Sequence, residues 1–262
     1  MTARALSPQA RFLPHGPGDL ARQVLIFAVA YYAYRLTRGA VDDPAAATQA
    51  FENARALISI ERTLGLFVEP TLQAATGGLL LDFASWMYIN TQTTVTVGAL
   101  LWIYLFRNES FFFVRNMFLV AFALALVGYV IFPTAPPRFM PEWGFTDSVA
   151  RFTGLTGEGS SANALYNPFA AVPSMHVAFA LMLGVPMSRL AKRRGVKALW
   201  LTYPALVSFV VVATANHWWF DAFSGALTAT VAAVAALLCA RWRPAAWAWP
   251  APARAHAAPQ AA

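Results

Sequence analysis

Residues 198–240 read ALWLTYPALVSFVVVATANHWWFDAFSGALTATVAAVAALLCA, and Asp221 is the one charged residue among them. Two apolar blocks, 198–216 and 219–240, flank a short polar sequence. Each block has about the 17–25 residues that a helix needs to cross a lipid bilayer. The stretch therefore predicts two membrane-spanning helices joined by a tight connection.

The rest of the chain repeats this pattern. Of the 262 residues, 58% are apolar and 12% are Asp, Glu, Lys or Arg, whereas soluble domains carry about 25% charged residues. A soluble domain of this length needs a charged surface, so we expect lipid to solvate much of this chain. Further apolar blocks lie at 20–38, 82–106, 111–132 and 174–190. Together the six blocks predict an all-α fold, the six-transmembrane helical bundle of a polytopic membrane protein.

The positions of the cations orient the predicted bundle. If the N-terminus lies inside, the inner segments hold 13 of the 19 Lys and Arg residues and the outer segments hold 6. Lys and Arg concentrate in short cytoplasmic loops, so this distribution predicts a multi-pass cell-membrane protein with both termini cytoplasmic. The predicted organisation is a cytoplasmic tail at 1–19, a single membrane domain at 20–243 and a disordered Ala- and Pro-rich tail at 244–262.

Two predicted connections on the outer side are long. In 40–80, an apolar stripe at near-helical spacing (Phe51, Ala54, Leu57, Ile58 and Leu64) has charged residues between its members (Glu52, Arg55, Glu61 and Arg62). This pattern predicts a helix that either lies in the membrane interface or packs on the bundle as a solvated helix. The second connection, 133–172, is rich in Pro, Gly and Ser, and a loop of that length is either functional or disordered.

Composition also excludes several kinds of site. Cys239 is the lone cysteine and the chain has four His, which argues against a disulfide framework, a Cys-based zinc site and a His-rich metal cluster. The net charge is +7, but the cations are scattered between apolar blocks instead of forming a basic patch with interleaved aromatic residues. We expect no metal, no cofactor and no nucleic-acid partner.

Candidate catalytic residues fall at the outer edge of the predicted bundle. His217 and Asp221 are four residues apart, which places both on one face of a helix. A carboxylate there can hold one imidazole nitrogen and leave the other to attack an electrophile. His176 lies at the start of another span that opens at the same face, so the two His residues are predicted to share one site.

The same edge is suited to bind an anion. Pro173 and Ser174 are typical of a helix start, and a helix N-terminus binds anions. A phosphate held there would lie beside His176, which could protonate a leaving oxygen, and Arg138 could neutralise its charge. Taken singly, such a His is more often a satisfied interfacial residue, and such an Arg a headgroup anchor. Together they favour a site, because ionisable groups at membrane edges are costly unless they are used.

Two stretches carry a family resemblance: NPFAAVPSMHV at 167–177 and NHWWFDAFSG at 216–225. The chain resembles the type 2 phosphatidic acid phosphatase superfamily of integral membrane phosphoesterases. It is most similar to the branch of inositol phosphorylceramide synthase and related inositol phosphotransferases. The six-span arrangement and the motif order cover about 110–240, with weaker likeness around 61–73.

The resemblance implies a role for each candidate residue. His217 would attack phosphorus and form a phosphohistidine, Asp221 would orient His217, and His176 would be the general acid for the leaving alcohol. Ser174 would hold a phosphate oxygen, and Arg138 would correspond to an arginine of the first motif. No metal is expected from the resemblance either.

The chain departs from the phosphatase form of the pattern. Ile131 replaces a Lys, Val210 and Val211 replace a Ser-Arg pair, and Met175 replaces a Gly. Two of three expected phosphate cations are thus absent, each of which would supply a contact of about 1.5–3 kcal/mol. Phosphate binding is expected to be weaker unless other residues substitute, for which the candidates are Arg151, Asn163 and Asn216.

These departures favour the transferase branch. The expected substrate is a membrane lipid with a phosphate or phosphodiester headgroup, cleaved at the outer face, and the acceptor is water or an alcohol such as inositol. The first alternative is a lipid phosphate or polyprenyl pyrophosphate phosphatase. The second is a non-catalytic membrane protein that keeps the fold.

Overall fold

The computed structural model describes residues 13–39, 44–154 and 169–242. Within these ranges the regular secondary structure is helical, and β-structure is limited to an isolated bridge between Thr134 and Ala170. The predicted all-α class is confirmed. The helices are α1 (Gly16–Gly39), α2 (Pro44–Thr63), α3 (Glu69–Ala75), α4 (Leu79–Asn90), α5 (Thr96–Phe106), α6 (Asn108–Ile131), α7 (Ser148–Thr153), α8 (Met175–Leu190), α9 (Arg194–Ala213) and α10 (Trp219–Ala240).

Among the described residues, three helices are long and apolar enough to cross a membrane: α6, α9 and α10. The apolar helix α8 is shorter, with 16 residues. A π-helical turn, Thr91–Val95, joins α4 to α5 without a break in helical backbone, so that 79–106 forms one helical stretch. Membrane-spanning character is therefore supported by helix length and composition, and the count of six spans stays a prediction.

The predicted apolar blocks lie within four residues of the observed helices at every end. The prediction for 198–216 is wrong at its C-terminus, because α9 ends at Ala213. The side chain of Thr214 donates to Val210 O at 2.7 Å, and Ala215 adopts a left-handed backbone with φ 55°. Local hydrogen bonds of this kind compete with the helical ladder, so the chain turns three residues early.

The bundle core is formed mainly by α6, α8 and α10. Phe179 of α8 packs against Phe118 and Phe122 of α6, with ring centroids 4.8 Å and 5.5 Å apart. Small residues of α10, Ala229 and Ala232, are buried in the same cluster. Small residues allow the close approach on which packing between membrane helices depends.

The helices α2 and α3 form a cap over the connection between α9 and α10. Ala54, Leu57 and Ile58 of the α2 stripe are buried in a cluster with residues such as Trp218, and Phe51 packs against it, whereas Leu64 lies beyond the end of α2 and is exposed. Of the two alternatives for the 40–80 segment, the structure therefore has the helix that packs on the bundle. Glu61, expected between the apolar positions, is instead 4% exposed, because it lies one turn beyond Leu57 on the buried face.

The predicted loop 133–172 is only partly irregular. Short 3₁₀ turns at Pro137–Phe139 and Pro141–Trp143 precede α7, whose N-cap Asp147 accepts a hydrogen bond from the amide of Ala150 at 2.9 Å. Positions 155–168 of this loop and the predicted disordered tail at 244–262 lie outside the described residues, as does most of the predicted tail at 1–19.

Candidate catalytic site

The connection between α9 and α10 is held from both sides. The carbonyl of Val211 accepts from the amide of His217 at 3.0 Å. The fully buried indole of Trp218 donates from Nε1 to Ala135 O at 3.0 Å. The left-handed backbone at Ala215 makes the turn between them, a conformation that few residues other than glycine adopt. Together these features fix the direction of His217.

His217 and Asp221 form a hydrogen-bonded pair. Nδ1 of His217 lies 3.2 Å from Oδ2 of Asp221, which also accepts from the amide of Trp218 at 2.9 Å. Asp221 is fully buried, and its Oδ1 has no hydrogen-bond partner among the described residues. The carboxylate therefore holds the imidazole by Nδ1 and makes Nε2 the nitrogen that can attack.

A second imidazole lies close to this pair. The ring centroids of His176 and His217 are 5.7 Å apart, although one residue opens α8 and the other precedes α10. His176 also stacks on Tyr88 of α4, with centroids 4.5 Å apart. The structure thus brings both His residues to one place, close enough to flank a single phosphorus atom.

Ser174 is the N-cap residue of α8. Its amide donates to Asp221 O at 3.0 Å, which ties the start of α8 to the candidate pair. Its hydroxyl makes no capping hydrogen bond to a helix amide. Oγ is fully buried and has no partner among the described residues. A buried polar atom without a partner costs about 1–3 kcal/mol, so this hydroxyl is suited to donate to a ligand.

Two glycines let α6 and α10 approach the start of α8. A Cβ added to Gly225 would lie 2.3 Å from Ser174 O, and one added to Gly128 would lie 2.7 Å from Cδ of Pro173. Tyr129 also donates from its hydroxyl to Pro173 O at 3.1 Å. The position of the Ser174 turn therefore depends on the absence of side chains at these two positions.

Arg138 is anchored beside the same connection. Its Nη1 donates to Asn216 Oδ1, its Nε lies 3.6 Å from Asp147 Oδ2, and its amide donates to Ala215 O at 2.8 Å. Nδ2 of Asn216 donates to both oxygens of Thr214, at 3.1 Å and 2.9 Å. Asn216 therefore uses both ends of its amide within the protein and orients Arg138.

Two carboxyl groups, one from α2 and one from α3, accept hydrogen bonds from amides in the first turn of α10. Glu69 Oε1 accepts from the amide of Trp219 at 3.2 Å, and Glu61 Oε1 accepts from the amide of Phe220 at 3.1 Å. Both side chains are buried. Burial, together with the neighbouring Glu69 carboxyl, raises the pKa of Glu61 to about 9. A proton on Glu61 at neutral pH relieves the repulsion between the two carboxyl groups.

Sequence reasoning missed several contributors to this arrangement. Glu61 could have been found, because it continues the buried stripe of α2 one turn after Leu57. Tyr88, Asp147 and Glu69 have no comparable local signal. The partners of Tyr88 and Glu69 lie far along the chain, on α8 and at the start of α10, whereas Asp147 pairs with the nearby Arg138.

The structure also locates the positions where the phosphatase pattern differs. Ile131 is 73% exposed at the end of α6, whereas Val210 and Val211 are buried in apolar clusters. Of the possible substitutes, Arg151 is exposed on α7 and Asn163 lies outside the described residues. Arg138 is the cation that the described chain anchors beside the candidate pair.

This set of groups is suited to phosphoryl transfer. It comprises an oriented imidazole, a second imidazole nearby, a buried hydroxyl at a helix N-terminus and an anchored guanidinium. Among the described residues, no group of three or more His, Cys, Asp or Glu side chains is arranged to hold a metal ion. The catalytic and binding roles of the individual residues stay predictions.

Comparison with known proteins identifies the family. A model of the PAP2 superfamily matches residues 55–235, a range that includes every residue placed at the site above. No curated protein and no solved structure is significantly similar to the chain. Members of the superfamily are generally phosphatases that act on phosphoesters. Because the match spans well over half of the sequence, this protein belongs to the PAP2 superfamily.

Proposed function

We propose that the chain is an integral membrane enzyme that cleaves a lipid phosphoester through a phosphohistidine on His217. The observation that carries the proposal is the position of this ring. Its Nδ1 lies 3.2 Å from the buried Asp221, and its centroid lies 5.7 Å from that of His176. Superfamily membership supplies the reaction class.

In the first step, Nε2 of His217 attacks the phosphorus of a phosphate held at the start of α8. The P–O bond to the leaving group breaks as the P–N bond forms, and protonated His176 gives its proton to the leaving oxygen. Asp221 stabilises the positive charge that develops on the His217 ring. The hydroxyl of Ser174 donates to a phosphate oxygen, and Arg138 contributes positive charge.

In the second step, His176 is the general base. It takes a proton from water or from an alcohol, whose oxygen attacks phosphorus while the P–N bond breaks. Water yields a free phosphate, whereas an alcohol yields a new phosphoester. Both imidazoles return to their starting protonation states.

The finer proposal is transfer to an alcohol such as inositol. It is supported by the absence of two phosphate cations of the phosphatase pattern, whose places are taken by Ile131 and the buried Val211. A lipid phosphate or polyprenyl pyrophosphate phosphatase is the second candidate, favoured by the prevalence of phosphatases in the superfamily. Purified protein incubated with a panel of lipid phosphates, with and without inositol, separates the two. Headgroup exchange without free phosphate supports transfer, and phosphate release that ignores inositol supports hydrolysis.

The substitution His217→Ala tests the reaction itself. Turnover should be lost while the variant inserts into membranes and keeps the thermal unfolding midpoint of the wild type within a few degrees. Normal activity in this variant would remove the proposed nucleophile. It would also revive the alternative of a non-catalytic role for this pair.

We also propose six spans with both termini cytoplasmic and the site at the outer face. The cations on either side of the α8–α9 connection support this orientation, since the site lies at the opposite end of α8. In a Cys239→Ser background, Glu142→Cys should react with an impermeant maleimide on intact cells, and Gly195→Cys should react only after lysis. The reverse pattern would overturn the orientation.

A further inference from the structure

A groove lies at the end of α8 that is remote from the candidate catalytic site. It has a volume of about 700 Å³ and lies between α5 with its preceding π-helical turn on one side and, on the other, the end of α8, the start of α9 and the connection between them. One wall carries Thr94, Gly98 and Trp102, which follow one another at four-residue intervals and share a helix face. From Thr94 to Arg107 the wall is about 20 Å long at 1.5 Å per residue.

The lining of the groove is apolar along its length and basic at one end. Apolar and small side chains line both walls, among them Ala99, Met187 and Leu190. Arg107, which ends the α5 wall, lies with its guanidinium 5.6 Å from the ring of Trp102. Lys192 and Arg193 belong to the connection that closes the other wall. None of the described residues that line the groove is acidic.

Two further features distinguish this groove from an ordinary gap between helices. Its wall includes Thr94 and Val95 of the π-helical turn, and such turns within α-helices are frequent at functional sites. In addition, a Cβ placed on Gly98 would have no atom within 4 Å, so the space in front of this glycine is open. A long apolar channel that ends in several cations complements a lipid with an anionic headgroup.

We propose that this groove binds an anionic phospholipid of the leaflet opposite the catalytic site. One acyl chain would lie along the α5 wall, past Gly98, and the headgroup phosphate would contact Arg107, Lys192 and Arg193. Charge complementarity selects this occupant over a zwitterionic lipid, because a zwitterionic headgroup also carries a cation that these three residues would repel. The inference is independent of the reaction proposed above.

Two double variants with the same change in charge test the role of the groove cations. Lys192→Gln/Arg193→Gln removes two cations that line the groove. Arg194→Gln/Lys197→Gln removes two exposed cations a few residues away that do not line it. Both doubles lower the net charge equally. A general attraction of the surface for anionic lipid would weaken equally in both.

A third variant tests the apolar part. Gly98→Leu would project into the open space of the groove while every cation is retained. Leu is also a better helix former than Gly, so the variant should fold. Loss of lipid binding in this variant cannot be explained by surface charge.

The test is native mass spectrometry of the detergent-solubilised full chain, titrated with phosphatidylglycerol or with phosphatidylcholine of the same acyl chains. We expect tighter binding of phosphatidylglycerol to the wild type. Its affinity should fall about tenfold or more in Lys192→Gln/Arg193→Gln, which loses charge-assisted contacts to the headgroup, and in Gly98→Leu, whose side chain would occupy the space of the acyl chain. The control double should change it less than about threefold. Equal losses in both doubles, an unaffected Gly98→Leu, or equal binding of the two lipids would overturn the proposal.

Discussion

The helices α8 and α10 both begin at the candidate site, but the polar groups of their first turns differ in their hydrogen-bond partners. At the start of α10, the amides of Trp218, Trp219 and Phe220 all donate to carboxyl oxygens, from Asp221, Glu69 and Glu61 respectively. The first turn of α8 holds no acidic residue. Its N-cap hydroxyl, on Ser174, is buried without a partner among the described residues.

This difference is the basis of our expectation about which helix would receive the substrate. A helix N-terminus attracts an anion, and the protein's own carboxyl groups already satisfy that attraction in α10. The helix start is thereby held rigidly, and the candidate nucleophile next to it is held as well. At α8 the same attraction is left for a phosphate. We therefore expect α10 to position the nucleophile and α8 to bind the phosphate.

Ser174→Asp would remove this difference between α8 and α10, and we expect it to have the largest effect on turnover. A carboxylate at the start of α8 would cap that helix as α10 is capped and would repel a phosphate. Turnover should fall by more than about a thousandfold, below that of Ser174→Ala, which loses a single donor and should cost about a hundred- to a thousandfold. Steady-state kinetics on a lipid phosphate measure both. An active Ser174→Asp variant would show that phosphate does not bind at α8.

Gly225→Ala should have the next largest effect, because it forces the two helix starts apart. The added Cβ would lie 2.3 Å from Ser174 O, so α10 and the Ser174 turn must separate. Overpacking of this kind costs about 1–3 kcal/mol, and a displacement near 1 Å can cost about a hundredfold in rate. Activity and thermal unfolding of the purified variant measure the two effects. Gly195→Ala, with open space around its Cβ position, is the control and should change neither.

Removing a carboxyl group that binds the start of α10 tests whether α10 positions the candidate nucleophile. Glu69→Ala leaves the amide of Trp219 without its acceptor, and this should destabilise the protein by about 1–3 kcal/mol. Because the turn positions His217 and Asp221 without touching substrate, kcat should fall more than KM rises. Glu69→Gln keeps an acceptor oxygen and should lose less on both measures. Equal losses in the two variants would mean that the hydrogen bond to Trp219 is not the reason.

The smallest expected effect on turnover accompanies a change in the pH dependence of stability. The pKa of Glu61 is raised from 4.5 to about 9, so the folded state retains a proton that the unfolded chain releases above about 4.5. The stabilisation from this proton is complete below pH 4.5 and is lost as pH rises towards 9. Glu61→Gln mimics the protonated form at every pH. Its thermal unfolding midpoint should match that of the wild type near pH 5 and exceed it near pH 8, whereas a constant difference would contradict the assignment.

The helical bundle was predictable because membrane helices have long apolar blocks in their sequence. The spacing of His217 and Asp221 predicted that they would meet, and they lie 3.2 Å apart. The prediction that both lie on one helix was wrong, because His217 precedes α10, and the hydrogen-bonded turn after α9 brings it to Asp221. The early end of α9 was not predictable from hydropathy. It depends on side-chain hydrogen bonds of Thr214 and Asn216 with the backbone, which leave no trace in apolar content.

The surroundings of the site were mostly hidden from sequence reasoning, because they depend on contacts between distant segments. A charged residue such as Glu69 is normally read as exposed, and its burial becomes evident only once α3 lies against the start of α10. The engagement of Asn216 with Arg138 is of the same kind. It uses both ends of the Asn216 side-chain amide within the protein, and the phosphate-binding role of Asn216 stays a prediction.

Direct detection of the covalent intermediate tests the central claim. The full chain in micelles would be mixed with a radiolabelled lipid phosphate, quenched in alkali, in which phosphohistidine survives, and mapped by mass spectrometry. The phosphoryl group should be found on His217 in the wild type and be absent in His217→Ala. In His176→Asn it should accumulate when the leaving group is an activated phenol, because departure then needs no acid and the second step lacks its base. Label on another residue, or turnover without any phosphorylated histidine, would contradict the mechanism.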